Sequence, residues 1–414
     1  MATAAQQLVR MLDELGRVSD EPGKLTRTFL SPSMRRANAQ VAQWMRAAGL
    51  AVREDAVGSL IGRLEGETPG AKTLLLGSHL DSVRDAGRFD GPLGVLLPIV
   101  ALGELKRRGV VLPFAIEVLG FSEEEGVRFA SAYLGSKGYA GKLRPTDLRF
   151  HDAKGVSVHD VLRDFGNGKF SPPAAAHRSR DLLGYIEVHI EQGPVLENKN
   201  LAVGVVSAIA GQSRFKLTWI GKAGHAGTTP MALRRDALAA AAEFAMGIEA
   251  IARRTKGLVA TIGAMTVAPG AANVIPGEVA HTLDVRHADD RVRRRALVAI
   301  GRLATQIAAR RNVSRAWQRT QENGAVACSP ALTAQLARSV KAIQGKSLSL
   351  VSGAGHDGVV ISELTPVAML FVRCREGLSH HPDEYASPAD LEVALRVIID
   401  FLERLARSSR QPSS

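Results

Sequence analysis

The sequence predicts an α/β protein: an outer domain on a mixed, largely parallel sheet, interrupted by a smaller inserted α+β domain. Three observations predict this. Short apolar runs ending in polar clusters alternate with helical patterns early in the chain, the signature of strands in a parallel α/β sheet. Half-apolar alternating strands and two long helical segments then crowd together between residues 212 and 326. After residue 327 the first pattern returns. The outer domain is therefore expected over 1–211 and 327–414, with the insert at 212–326.

In chain order, residues 1–50 read as helical and amphipathic. TLLLGSHLDS, from Thr73, is a buried strand whose carboxyl end opens into polar residues. LGVLLPIVALGELKRRG reads as a helix interrupted at Pro98 and ended at Gly109. FAIEVLGFSEEEG is a second apolar strand ending in acids. Residues 141–182 look loop-rich, with Gly166, Gly168, Pro172 and Pro173. YIEVHIEQGP alternates strictly: Ile186, Val188 and Ile190 on one side, Glu187, His189 and Glu191 on the other. Within the insert, SRFKLTWIGKAGHAG, GLVATIGAMTVAP and GEVAHTLDVRH are alternating strands, and ALRRDALAAAAEFAMGIEAIARR is a long helix. This order suits a small antiparallel sheet with helices on one face. SLSLVSGAGHDG, VAMLFVRC and a helix from Ser387 complete the outer domain, and Ser408 to Ser414 reads as a frayed tail. No internal repeat or low-complexity tract is visible.

Composition narrows the function. The two cysteines, Cys328 and Cys374, form no C-x-x-C pair, which excludes a disulfide framework and a thiolate zinc site and points to a reducing, cytoplasmic setting. Charge-free apolar stretches such as Gly91 to Gly103 contain Gly and Pro and fall short of a membrane span. Met1 to Arg10 has no basic segment followed by an apolar one, so neither secretion nor a membrane partner is expected. The net charge of +12 permits an acidic small molecule or nucleic acid as partner. Much of the excess is arginine. Arg291, Arg293, Arg294 and Arg295 fall in RVRRRALVAIGRLATQIAARR, whose apolar positions Val292, Leu297, Ile300, Leu303 and Ile307 recur at helical spacing. The arginines are expected mainly on the solvated face. Aromatics are 5% and do not interleave with the basic run, so no specific nucleic-acid binding is expected.

Five clusters carry chemistry: GSHLDS (His79, Asp81), RFDGPLG (Asp90), FSEEEG (Glu123, Glu124, Glu125), YIEVHIEQGP (His189) and EGLSHHPDE (His380, His381). Imidazoles and carboxylates at the ends of different strands are what a divalent transition-metal site needs. The bland alternative is a set of satisfied histidines, a turn aspartate before Gly91-Pro92 and a solvated acidic loop. Against it, a buried strand leading into three acids needs neighbours that neutralise them. The residues alone leave both readings open.

The ordered set SHLDS, FDGPLGV, EEEGVRF, EVHIEQGPVLE, GKAGHAGTTPM, NVIPGEV, DVR, SGAGHD and GLSHHPDE, from about Gly77 to Glu384, resembles one family. It is the hydantoinase/carbamoylase branch of the dinuclear-metal amidohydrolases related to metal-dependent carboxypeptidases. That branch holds N-carbamoyl-L-amino-acid hydrolases, beta-ureidopropionases and allantoate amidohydrolases. The resemblance implies two divalent ions per subunit, zinc or manganese with cobalt and nickel as alternatives. It makes the outer domain the metal-binding catalytic one. His79, Asp90, Glu125, His189 and His380 match the metal ligands, with Asp90 bridging. Glu124 matches the general base, and Asp81 the carboxylate that orients His79. His225, Asn273, Arg286, Gln192 and Gly355 match substrate contacts. His225 and Asn273 are suited to a developing oxyanion, and Arg286 to a substrate carboxylate. His356 and Asp357 are read as structural in preference to helping shape the site. The chain departs from the family at His381, beside the preferred ligand His380.

The implied reaction is hydrolysis of a ureido C–N bond of a small carboxylate, releasing ammonia and carbon dioxide. EEEGVRF followed by LGS at Leu134 to Ser136, and MLFVRC before GLSHHPDE, look more like allantoate amidohydrolases than like N-carbamoyl-L-amino-acid hydrolases or beta-ureidopropionases. The insert is implied to act as a lid and to join two copies as a homodimer. The reading from a different class is a non-catalytic basic binding protein. A relic would tend to lose Glu124 or a ligand, and none is missing.

Overall fold

The computed structural model describes residues 3–410. These fall into two compact units, one running up to Ser207 and resuming at Cys328, the other spanning Ala208–Ala327. In the first unit, α1 (Ala4–Leu15) and α2 (Pro32–Ala48) precede a hairpin of β1 (Ala51–Glu54) and β2 (Leu60–Leu64). Next come β3 (Thr73–His79), α3 (Pro92–Arg107), β4 (Ala115–Phe121), α4 (Leu134–Tyr139), α5 (Val158–Phe165), β5 (Leu182–Ile190) and α6 (Val195–Asn198). β6 (Val203–Ile209) leads out of this unit. The second unit holds β7 (Gly211–Ile220), β8 (Gly224–His225), α7 (Ala237–Arg254), β9 (Val259–Thr261), β10 (Met265–Ala268), β11 (Val274–Ile275), β12 (Glu278–His287), α8 (Asp290–Arg310), β13 (Ser314–Asn323) and β14 (Val326–Ala327). The chain closes with α9 (Pro330–Gln344), β15 (Ser349–Ser352), α10 (Gly358–Ile361), β16 (Val367–Val372) and α11 (Pro388–Arg410).

The large sheet runs β1-β2-β4-β3-β5-β16-β6-β14, with β15 paired to β6. Its central strands β4, β3, β5 and β16 are mutually parallel. β2 and β6 flank them antiparallel. Leu74, Leu76, Ile116, Val118, Ile186, Val188, Ala368 and Leu370 face one apolar core with α1, α2, α3, α9 and α11. Alternation sends Glu117, Glu187 and His189 to the opposite face, where they are buried as well.

Several local expectations are corrected. The first 50 residues form two helices, because Pro22 and Gly23 (φ 74°) break the pattern between them. α3 runs unbroken through Pro98. Nearly every residue of its first three turns is buried, and that packing outweighs a local cost of about 3 kcal/mol. α11, whose first turn is capped by the Ser387 hydroxyl accepting from the Asp390 N–H (3.1 Å), continues through Ser408 to Arg410. The rest of the expected frayed tail, residues 411–414, lies outside the described residues.

The second unit is an antiparallel sheet ordered β10-β12-β7-β13, with β9 on β12. Its core joins Leu217, Trp219, Val279 and Leu283 to Phe244 of α7 and Ile300 of α8. Of the four arginines expected on the solvated face of α8, Arg293 is 1% exposed. It points at the sheet instead, binding Asp290 (2.9 Å) and Glu322 (2.9 Å).

Candidate active site

The sheet places the candidate donors at one edge. His79 ends β3, the Glu123–Glu125 run follows β4, His189 lies near the end of β5, and His380 follows β16. Carboxyl ends of parallel strands are where such folds bind ligands. Asp90 stands just before Gly91, the N-terminal residue flanking α3. Gly91 adopts φ 82°, and a Cβ there would lie 2.5 Å from the His79 ring. Only glycine lets the loop close over that imidazole.

Asp90 is the hub. Its Oδ1 lies 3.0 Å from His189 Nε2 and 3.5 Å from His79 Nε2. Its Oδ2 lies 3.2 Å from His380 Nε2, which is 3.6 Å from Glu125 Oε1. Two donor groups thus share one carboxylate: His79, Asp90 and His189 on one side, Asp90, Glu125 and His380 on the other. Glu124 joins His79 and Glu125 in a third group. His381 turns elsewhere, toward Asp383, and its Nδ1 accepts the Asp383 N–H (3.1 Å).

The electrostatics suit cations. Burial works against the Asp90 carboxylate, yet His189, His380 and His79 hold it well below the usual range. Burial, followed by repulsion from Asp90, raises Glu125 to about 7. Burial also raises Glu124 strongly, with Glu125 and Asp357 adding to it against His79. Imidazoles packed among crowded, buried carboxylates are a donor set that a pair of divalent ions fits and neutralises.

Supporting contacts fix these groups. Asp81 accepts the N–H groups of Glu124 (3.0 Å) and Glu125 (3.2 Å) and lies 3.3 Å from His79 Nδ1. Gln192, at φ 56°, donates to Asp90 Oδ2 (2.9 Å). Glu187 accepts from Ser78 Oγ (2.8 Å) and the Gly358 N–H (3.1 Å). His356 packs edge-on against His189 (4.6 Å between centroids). Gly355 lies beside Glu124.

His225, Asn273 and Arg286 belong to the second unit. β8 pairs with β11, setting His225 opposite Val274, and the Ala226 N–H donates to the Asn273 carbonyl (2.9 Å). His225 and Asn273 are exposed and adjacent in this ladder. Arg286, on β12, grips Asp284 through Nε and Nη2, both at 2.9 Å.

Sequence reading missed two supports. Arg27, wholly buried, donates to the carbonyls of Leu80 (2.5 Å), Leu15 (3.1 Å) and Val18 (3.0 Å), and so braces the turn after His79. No local signal marks it. Glu384 accepts the N–H groups of Phe89 (2.9 Å) and Asp90 (3.1 Å). Its place four residues past His380 was a usable hint.

These features define a metal-binding hydrolase, and comparison with known proteins agrees. Residues 75–404 match peptidase family M20/M25/M40, and the chain belongs to that family. It is 43% identical to an N-carbamoyl-L-amino acid amidohydrolase of Geobacillus stearothermophilus, over 97% of this chain and 98% of that one. It is 40% identical to allantoate deiminase 2 of Glycine max, over 97% and 89% of the two chains. A crystal structure of a hydantoinase/carbamoylase-family amidase from Burkholderia multivorans superposes with a TM-score of 0.91 at 32% identity, covering 97% of each chain. The protein is a hydrolase acting on amide C–N bonds. Among the described residues no helix is long and apolar enough to cross a membrane.

Proposed function

We propose that this enzyme hydrolyses a ureido C–N bond of a small carboxylate, with allantoate as the substrate, releasing ammonia and carbon dioxide. The observation that carries the reading is Asp90 shared between two donor groups with Glu124 alongside. His79, His189, Glu125, His380 and Asp90 would hold two divalent ions, zinc or manganese, with cobalt and nickel as alternatives. Bound there, the ions supply Lewis acidity toward the scissile carbonyl and an acidified water. Glu124 takes a proton from the attacking water and passes it to the leaving nitrogen, and Asp81 keeps His79 and the Glu124–Glu125 backbone in place. His225 and Asn273 donate to the developing oxyanion. Gln192 and Gly355 line the substrate, and the positive charge of Arg286 attracts its carboxylate. We further read the second unit as the lid and dimerisation element, which size-exclusion chromatography with light scattering tests as a dimer mass.

A second reading, N-carbamoyl-L-amino acids as substrates, is favoured by the 43% identical relative. Ammonia release from allantoate, N-carbamoyl-L-amino acids and N-carbamoyl-beta-alanine, after stripping the enzyme and refilling it with manganese or zinc, separates the two. Metal-dependent turnover of allantoate alone, absent in Glu124→Gln, is the expected result. Turnover of the carbamoyl amino acids instead keeps the mechanism and changes the substrate. Silence on all three with metal bound overturns the ureido reading.

A further inference from the structure

Tyr133 precedes α4 with φ 68° and ψ 26°. An aromatic side chain in the left-handed region is a backbone outlier of the kind that clusters at functional sites. Its N–H donates to the Glu124 carbonyl (3.3 Å), tying the strained residue to the candidate base. Its phenol and the Glu124 carboxylate both approach Gly355. A Cβ built on Gly355 would lie 2.0 Å from Tyr133 Oη and 3.7 Å from Glu124 Oε1. The phenol therefore fills the space a side chain at 355 would need, beside the carboxylate that moves the proton. Burial, then the Glu124 charge, holds its pKa well above the ordinary value of 10, so the hydroxyl stays protonated and able to donate.

We propose that the Tyr133 hydroxyl is a further substrate-contacting group, donating a hydrogen bond to the ureido group next to Glu124, and that position 355 is glycine to admit the phenol. This rests on the ureido reading above.

The test uses Tyr133→Phe, Gly355→Ala and the double variant in the metal-loaded enzyme, assayed on whichever ureido carboxylate the wild type turns over. Metal content and Tm are measured alongside. Tyr133→Phe is expected to lower kcat/KM about 10-fold or more, with metal content and Tm unchanged. Gly355→Ala is expected to lower it further, because its methyl collides with the phenol oxygen. Adding Tyr133→Phe to Gly355→Ala is expected to restore activity to the Tyr133→Phe level, since the nearest remaining ring contact is Cζ at 3.3 Å. A Tyr133→Phe rate within about twofold of wild type, or a double variant no better than Gly355→Ala, overturns the proposal while leaving the ureido reading intact. A wild type silent on every ureido carboxylate overturns both.

Discussion

β5 and β7 both alternate polar and apolar residues, for different reasons. In β7, Phe215, Leu217 and Trp219 face a core while Arg214, Lys216 and Ile220 face solvent. In β5, Ile186, Val188 and Ile190 join the apolar core, and Glu187 and His189 are just as buried on the other side. A half-buried sheet explains its polar residues by water. A strand buried on both faces does not, because each polar group there costs free energy unless something satisfies it. Alternation inside a parallel core therefore marks a site, and the same alternation in an antiparallel layer marks a surface.

Substitutions can break this contrast. His189→Val keeps β5 buried on both faces but replaces the imidazole with an apolar side chain. It is expected to lower kcat/KM by about three orders of magnitude and to reduce bound metal on elemental analysis. The matching change in β7, Lys216→Val, is expected to leave the rate unchanged and shift unfolding free energy by less than about 0.5 kcal/mol. Trp219→Ala attacks the core side of β7 and is expected to lower the stability of the second unit by about 3–5 kcal/mol in urea titrations. Glu187→Gln sharpens the reading of β5. The amide oxygen can still accept the Gly358 N–H while the amide NH2 donates to Ser78 Oγ, and the charge facing His189 is removed. Activity is expected to fall about 10- to 100-fold, read at saturating metal.

The smallest effect concerns a carboxylate away from either strand. Asp55, in the β1–β2 turn, accepts the N–H groups of Val57 (3.0 Å) and Ser59 (2.8 Å). Burial raises its pKa to about 7. The folded state then binds a proton that the unfolded chain has already released, so stability is full below the ordinary carboxylate range and is lost as pH rises through 7. Asp55→Asn is expected to raise Tm at pH 8, with the gain shrinking at pH 5, in thermal melts across that range.

Much of this was legible in the sequence. Apolar runs ending in polar clusters mark the strands of the parallel core and put His79, Asp90, the Glu123–Glu125 run, His189 and His380 forward as candidates, while the choice among them and their roles came only with the family resemblance. What could not be read depends on partners far along the chain. Arg27 looks like one more helical surface arginine until the Leu80, Leu15 and Val18 carbonyls close on it. Arg293 sits among arginines that do face solvent, and only the register of α8 against β7 and β13 separates it. Pro98 carries a strong local signal for a break, which burial overrides. The two-way donor geometry around Asp90 has no local signature, since its partners lie on β3, β5 and the segment after β16.

The Asp90 clasp also orders events in time. The backbone of Phe89 and Asp90 is held by a carboxylate 294 to 295 residues later, and His380 arrives in the same late segment. During synthesis the ribosome delivers β3, β4 and β5 first, each carrying donors, together with the whole second unit. None of them can complete the cluster until the segment after β16 emerges. The donor cluster is thereby completed late in synthesis, and a chain interrupted before Ser379 would carry five of the six clustered donors without the Glu384 carboxylate that holds the Phe89 and Asp90 backbone.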